Sequence, residues 1–309
     1  MPNIAAIDIG SNAIRMTIAE TSPGQTILGL RHFREPVRLG QDVFEKGMIS
    51  EQIASRALQA LKSFKAEADK AQASRIRMVA TEALRRAANG RELAEAWSAE
   101  TGVEIEVIIA RREAVLLARA ISERPDLKDK NILHFELGGG SLELSLISKG
   151  KVEDTADFEL GAVRLLKIIE PSAGDKQRLK FAVEKLSQNA LDWVKHQVSK
   201  RKPQLLAGTG GGVEALAELA SNNGQSQSKD ILTSSGLNKV IDLIIPLTPE
   251  QRTAQLGLKP DRADVILPAA LVVSALIGAS GFDRLHLPRV SLRDGMLLEM
   301  AGEMPEQKA

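Results

Sequence analysis

Apolar and polar positions along this chain switch between a two-residue and a 3.6-residue period, and the switches mark out its elements. Ile4 to Ile9 is a short apolar run broken once, by Asp8, and reads as a strand. Gly10-Ser11-Asn12 supplies turn chemistry, and Ala13 to Ala19 resumes as a second strand interrupted by Arg15. Strand, tight turn and strand predict a β-hairpin. Ser50 is suited to cap a helix, and behind it Ile53, Ala57, Leu58, Leu61 and Phe64 fall at helical spacing. Ile76 to Val79 reads as a strand and Thr81 to Trp97 as a helix with a break point at Asn89-Gly90. Ile105 to Ile109 is a further strand, and Arg112 to Ile121 a helix that Pro125 stops soon after.

The opening pattern then returns. Asn131 to Leu137 carries an acid, Glu136, near its end; Gly138-Gly139-Gly140-Ser141 follows, and Leu142 to Ser148 is the next strand. Asp8 and Glu136 lie 128 positions apart, about one domain length and far beyond the periods of solenoid repeats. The pattern predicts a duplicated domain, with a boundary near the charged, proline-containing stretch Glu123 to Asp129. The second half continues through Phe158 to Leu166, a long helical pattern from Lys176 to Ser199, and a strand at Gln204 to Ala207. Gly208-Thr209-Gly210-Gly211-Gly212 precedes a helix starting near Val213; Ser221 to Ser235 is polar and loop-like, and a helix-rich region closes the chain.

Composition narrows the classes. A chain of 309 residues suggests two domains, and 43% hydrophobic with 26% charged residues is ordinary for a globular protein. Cysteine is absent, which removes disulfides, thiolate zinc sites and thiol nucleophiles. His32, His134, His196 and His286 are widely spaced and form no short metal-binding pattern. A net charge of +1 gives no support to nucleic-acid binding. No signal peptide is read at the N-terminus, because Asp8 sits where an apolar stretch is needed. The uncharged stretch starting at Val265 and closing on Phe282 contains Pro268 among its glycines and serines, and reads as a buried core helix rather than a membrane span. The expected location is the cytoplasm.

The residues with chemistry to offer cluster at the repeated turns. Asp8, Gly10, Ser11, Asn12 and Arg15 meet at the first hairpin. Residues tolerant of positive φ can aim successive N–H groups at one point, a nest suited to phosphate oxygens, and Asp8 can hold magnesium. The second hairpin presents Glu136, Gly138, Gly139, Gly140, Ser141 and Glu143; three consecutive glycines exceed what a simple turn needs and suggest close approach by a ligand. The third glycine run misses the dinucleotide pattern at position 213, and no Walker A pattern occurs. Arg75, Arg77, Arg85, Arg86 and Arg91 cluster; Arg85 and Arg86, adjacent on a helix, are expected to face different ways, one to a cleft and one to solvent. Glu113, after Arg111 and Arg112 at a helix start, is placed to act as a general base on water.

In combination these stretches resemble the exopolyphosphatase and guanosine pentaphosphate phosphohydrolase (Ppx/GppA) family, over nearly the whole length. The resemblance rests on Ala6-Ile7-Asp8-Ile9-Gly10-Ser11-Asn12, Val37-Arg38-Leu39-Gly40, Ala80-Thr81-Glu82-Ala83-Leu84-Arg85 and Glu113-Ala114. It continues with Glu136-Leu137-Gly138-Gly139-Gly140-Ser141-Leu142-Glu143, Leu160 to Leu165, Gly208-Thr209-Gly210-Gly211, Arg262 to Ile266 and Ser291-Leu292-Arg293-Asp294-Gly295. The order and spacing are specific where each stretch alone is modest. The resemblance implies an α/β fold of two duplicated actin-like (ribonuclease H-like) domains with a cleft between them, over 1–124 and 125–309, the last helix free to pack back on the first domain.

It implies hydrolysis of a terminal phosphoanhydride, of inorganic polyphosphate or of guanosine pentaphosphate, with Mg2+ or another divalent cation, no nucleic acid and no membrane, and it allows a homodimer. Glu113 matches the proposed general base and Glu143 a second catalytic carboxylate; Asp8 and Glu136 match the acids near the metal. Gly10, Ser11, Asn12, Gly138, Gly139, Gly140, Ser141, Gly208, Thr209 and Gly210 match phosphate-binding loops, and Arg85 an arginine on the phosphoanion. The chain departs from the family at Glu136, where Asp is usual; at Leu142, where the usual Thr would set a hydroxyl beside the phosphate site; and at Arg111 and Arg112, which stand where Gly-x-Glu is frequent. It also lacks the further helical domains with which longer members grip long chains. A kinase or ATPase on the same fold, and a non-catalytic sensor of polyphosphate or alarmone, are the rival readings.

Overall fold

Side chains alternate between the two faces of a strand, so the opening hairpin sorts its own residues. In the computed structural model of the chain, which describes residues 2–21, 27–169, 176–225 and 228–302, β1 (Asn3–Ile9) and β2 (Ile14–Thr21) pair antiparallel with Asp8 opposite Arg15. β3 (Ile27–Glu35) adds antiparallel to β2. Two helices, α1 (Leu39–Lys46) and α2 (Glu51–Lys70), provide the crossover that a parallel partner requires, and β4 (Ala73–Ala80) then lies parallel to β1. α3 (Glu82–Arg86) and α4 (Gly90–Thr101) lead to β5 (Ile105–Val107), parallel to β4, and α5 (Ala110–Ser122) follows. The strand order is β3-β2-β1-β4-β5.

The second half repeats this order. β6 (Asn131–Leu137), β7 (Leu142–Ser148) and β8 (Lys151–Phe158) form an antiparallel meander. α6 (Ala162–Ile169), α7 (Lys176–Leu186) and α8 (Gln188–Arg201) cross over to β9 (Leu205–Thr209), parallel to β6. After α9 (Gly211–Asn222) come β10 (Ile231–Thr233), α10 (Ser234–Ile244), α11 (Pro249–Leu256), α12 (Pro260–Ala263) and α13 (Ile266–Ser280). β11 (Arg284–His286) then pairs parallel with β9 and antiparallel with β10, giving the order β10-β11-β9-β6-β7-β8. Read from β8, the first five strands match the first sheet in order and direction, so each half is one ribonuclease H-like domain and the whole has the duplicated actin-like architecture. α14 (Leu292–Gly302) ends the described chain.

The chain divides into two compact units, one of residues 1–120 with everything from Val290 onward, the other Ile121–Arg289. The long segment of the first unit stops at 120, where the sequence places a boundary at 124, and α14, by number within 125–309, packs on β1 and β2. In that unit Ile7, Ile9, Ile14 and Met16 face a core shared with Leu61, Phe64 and Trp97. On the other face Ile4, Ala6 and Val79 pack with Leu116 of α5 and with Leu292, Met296 and Met300 of α14. Asp8 has the parity of Ile4 and Ala6, and so shares the face covered by α5 and α14.

Four local readings change. Ser50 precedes α2, but its side chain does not cap the helix; its N–H donates to Asp42 Oδ2 at 3.1 Å. The helical pattern from Lys176 to Ser199 is two helices that meet at Ser187. The polar stretch from Ser221 to Ser235, of which 226–227 lie outside the described residues, contains β10. The apolar run after Val265 is α13; 78% of the hydrophobic window in Pro260–Ser280 is buried within the protein, as a core helix requires.

Candidate active site

In the first unit the turn between β1 and β2 closes with Gly10 N–H donating to Ala13 O at 3.3 Å. The segment 38–40 docks behind it: Arg38 N–H donates to Asn12 O at 3.2 Å and Gly40 N–H to Ser11 O at 2.8 Å. A trans peptide points its C=O and the following N–H in opposite directions, and no peptide here is cis. With the carbonyls of Ser11 and Asn12 bound from behind, the N–H groups of Asn12 and Ala13 are turned the other way.

The second unit repeats the device more fully. Gly138 N–H donates to Ser141 O at 3.1 Å. The start of α6 then takes the loop carbonyls: Ala162 N–H donates to Gly138 O at 3.0 Å, Val163 N–H to Gly139 O at 2.9 Å, and Arg164 Nε to Gly140 O at 3.1 Å. By the same peptide geometry, the N–H groups of Gly139, Gly140 and Ser141 form a row directed away from α6. The left-handed conformation expected of these loop residues is not what they adopt. Gly10, Gly138, Gly139, Gly140 and Asn12 do not have positive φ. What is tight is the docking: a Cβ on Gly161 would stand 2.2 Å from the Gly140 carbonyl carbon.

The catalytic candidates of the first unit form a chain of alternating charge. Arg86 Nε donates to Glu82 Oε1 at 3.1 Å, Arg85 Nη2 to Glu82 Oε2 at 2.6 Å, and Arg85 Nη1 to Glu113 Oε1 at 2.8 Å. Arg85 Nη1 also donates to Ile108 O at 2.6 Å. Arg85 and Arg86 therefore do not face apart, as expected from adjacency; positions i+3 and i+4 both reach Glu82. Glu113, 5% exposed in the first turn of α5, has its carboxyl pushed up to about 7, chiefly by burial. Arg85 opposes the rise, and Asp8 and Glu82 add to it. Such a group exchanges a proton near neutrality, as a general base must. Asp8 is also buried and raised by that burial, against the opposing charges of Arg293 and Arg15; Arg293 Nη1 lies 3.5 Å from Asp8 Oδ2, and its Nε donates to Thr17 Oγ1 at 2.9 Å.

In the second unit Ser141 donates a short hydrogen bond to Glu143, both buried. Glu136 stands opposite Glu143 on β7, and Glu143 opposite Asp157 on β8. Carboxylates directly opposite one another repel. Thr209, opposite Glu136 on β9, is hydrogen-bonded through Oγ1 to His134 Nε2 at 3.0 Å, and His134 Nδ1 to Ser145 Oγ at 3.1 Å. Burial holds the His134 imidazole down to about 3, hence neutral. Gly210, at φ 113°, precedes α9 and lies so close to β6 that a Cβ would stand 2.4 Å from Leu137 O. Gly208 packs under the Phe135 ring, where a Cβ would meet the ring at 2.6 Å; its surroundings are core rather than ligand.

The sequence model of the Ppx/GppA phosphatase family matches residues 17–304. The chain belongs to that family. Exopolyphosphatase 2 of Mycobacterium tuberculosis is 29% identical over 321 residues, covering 98% of this chain and 99% of its own. The crystal structure of the Aquifex aeolicus member of the Ppx/GppA family superposes with a TM-score of 0.77 at 25% identity, over 100% of this chain and 99% of that one. An exopolyphosphatase from Cytophaga hutchinsonii shares the fold with a TM-score of 0.88 at 23% identity, over 99% of this chain and 100% of that one.

Two departures of this Ppx/GppA chain have structural explanations. Leu142 is fully buried among Leu137, Leu144 and Phe158 in the core, so a threonine hydroxyl at 142 would enter the core and not, as expected, sit beside the phosphate loop. Arg112 bonds Glu299 of α14, and Arg111 is exposed. Glu82, Arg293 and Thr17 were missed as site residues. The i+3 and i+4 spacing of Glu82 from the arginines was a legible signal. Arg293 reaches Asp8 across 285 positions of sequence, and no local pattern announces that. Asp8 in the first unit and Glu136 in the second each offer a carboxylate, the donor type magnesium prefers, and among the described residues no three metal-competent side chains converge; each taken by itself fits an ion otherwise held by waters and substrate phosphates.

Proposed function

We propose that this family member is an exopolyphosphatase, releasing orthophosphate by hydrolysis of the terminal phosphoanhydride of inorganic polyphosphate. The observation that carries the reading is Glu113: a buried carboxylate poised near neutrality beside Arg85, in a chain matched end to end by a protein named an exopolyphosphatase. In this reading the row of N–H groups at Gly139, Gly140 and Ser141 in the second unit binds phosphoryl oxygens, and the N–H groups of Asn12 and Ala13 in the first unit are suited to the same task. Glu113 takes a proton from the attacking water as its oxygen bonds to the terminal phosphorus, and the shortened polyphosphate leaves with the electron pair of the broken P–O bond. Glu143, held by Ser141, orients water or phosphate. Phosphoryl transfer rests on such positioning and electrostatics. Asp8 and Glu136, each within its own unit, are the carboxylates that would hold a divalent cation, which when bound neutralises phosphate charge.

The test is phosphate release from polyphosphates of defined length, guanosine pentaphosphate and ATP, side by side, with and without magnesium. Turnover of polyphosphate above the other two is the expected result. Preference for guanosine pentaphosphate would move the assignment to the alarmone, preference for ATP to an ATPase, and tight polyphosphate binding without turnover to a sensor.

A further inference from the structure

One buried acid beside Glu113 has no part in that reaction. Glu82 is 3% exposed and sits on α3, a five-residue helix tied at both ends: Thr81 N–H donates to Ile9 O at 3.3 Å, and α4 begins so close behind that a Cβ on Gly90 would stand 1.9 Å from Leu84 O. Both oxygens of Glu82 are used, one by each arginine. We propose that Glu82 is a positioning residue: its carboxylate grips Arg85 and Arg86 together and thereby fixes the Arg85 guanidinium on Glu113.

The guanidinium is a planar fork whose orientation is set by its acceptors. Arg85 has three, Glu82, Glu113 and Ile108 O, and the Ile108 carbonyl is itself in place because Ile108 N–H donates to Ala80 O at 3.0 Å. Glu82 competes with Glu113 for the charge of Arg85, and Arg86, on the half-exposed side, draws part of Glu82 away. The charges facing Glu113 are Arg85 and Glu82 from α3 and Asp8 from β1; Asp8 is balanced by Arg293 of α14 and Arg15 of β2. The arrangement carries a signed consequence. Removing the charge of Glu82 leaves Arg85 to Glu113 alone and favours its ionised form. Removing Arg86 strengthens Glu82 and does the opposite.

The inference rests on Glu113 as the base, and its test has a readout that does not need turnover. Glu82→Gln, which keeps the shape and loses the charge, is expected to move the acid limb of kcat/KM down by about half a pH unit or more, and Arg86→Met to move it up by less. The Glu113 carboxyl band in infrared difference titration, identified by its loss in Glu113→Gln, is expected to shift in the same two directions. A merely structural role would lower the unfolding midpoint and the activity at every pH while limb and band stay in place, and that result, or shifts of the same sign in both variants, overturns the proposal. If Glu82→Gln does not fold, the upward shift in Arg86→Met decides alone. If the wild type turns over none of the substrates, the exopolyphosphatase reading falls and the carboxyl band still decides the role of Glu82.

Discussion

Glu113→Gln is expected to inactivate the protein and stabilise it. Burial raises the Glu113 carboxyl from 4.5 to about 7, so between those values the folded state keeps a proton that the unfolded chain has released. Stability therefore falls as pH rises through this window; the contribution is whole below pH 4.5 and gone above about pH 7. At 1.36 kcal/mol per pH unit the loss comes to about 3 kcal/mol. The neutral glutamine has no such slope, so the stability of the wild type relative to the variant is expected to drop by about 3 kcal/mol from pH 4.5 to 8. Urea unfolding read through the buried Trp97, in a Trp193→Phe background so that only the first unit reports, measures the difference at each pH. The same variant is expected to lose about 10²–10⁴-fold in turnover. Parallel stability curves for wild type and variant would show that burial does not govern this carboxyl, and full turnover would exclude it as the base.

The second unit has the opposite acid response: His134 is held down from 6.5 to about 3, so its folded form binds fewer protons, and stability present above pH 6.5 is lost as pH falls toward 3, by up to about 5 kcal/mol. Trp193 emission followed during acid titration in a Trp97→Phe background checks this, and His134→Gln should flatten the response. Gly161→Ala places a methyl group against the Gly139–Gly140 backbone; it is expected to destabilise the second unit by about 1–3 kcal/mol and to weaken phosphate binding, seen by calorimetry with short polyphosphate. Arg293→Met removes the cation from Asp8 and the donor from Thr17; a loss of up to about 3 kcal/mol in the first unit is expected by urea unfolding, and an unchanged midpoint would show that Arg15 alone balances Asp8.

The sequence by itself determined the periodic elements, the duplication and the glycine-rich turns, because each is a property of neighbours within a few positions. The strand of Ile4 to Ile9 and the turn at Gly10 follow from local pattern, and their return at Asn131 to Ser141 from comparison of the chain with itself. Glu113 was legible as an acid at a helix start after a strand. Tertiary structure alone decided what those residues touch. It turned Arg85 and Arg86 onto one acid, brought Arg293 to Asp8 from the far end of the chain, sent the Leu142 side chain into the core, and packed α6 so tightly on the second loop that Gly161 has no room for a methyl group. The proton affinity of Glu113 belongs with these: it comes mainly from burial, and burial is created only when distant segments close over a side chain and exclude water from it.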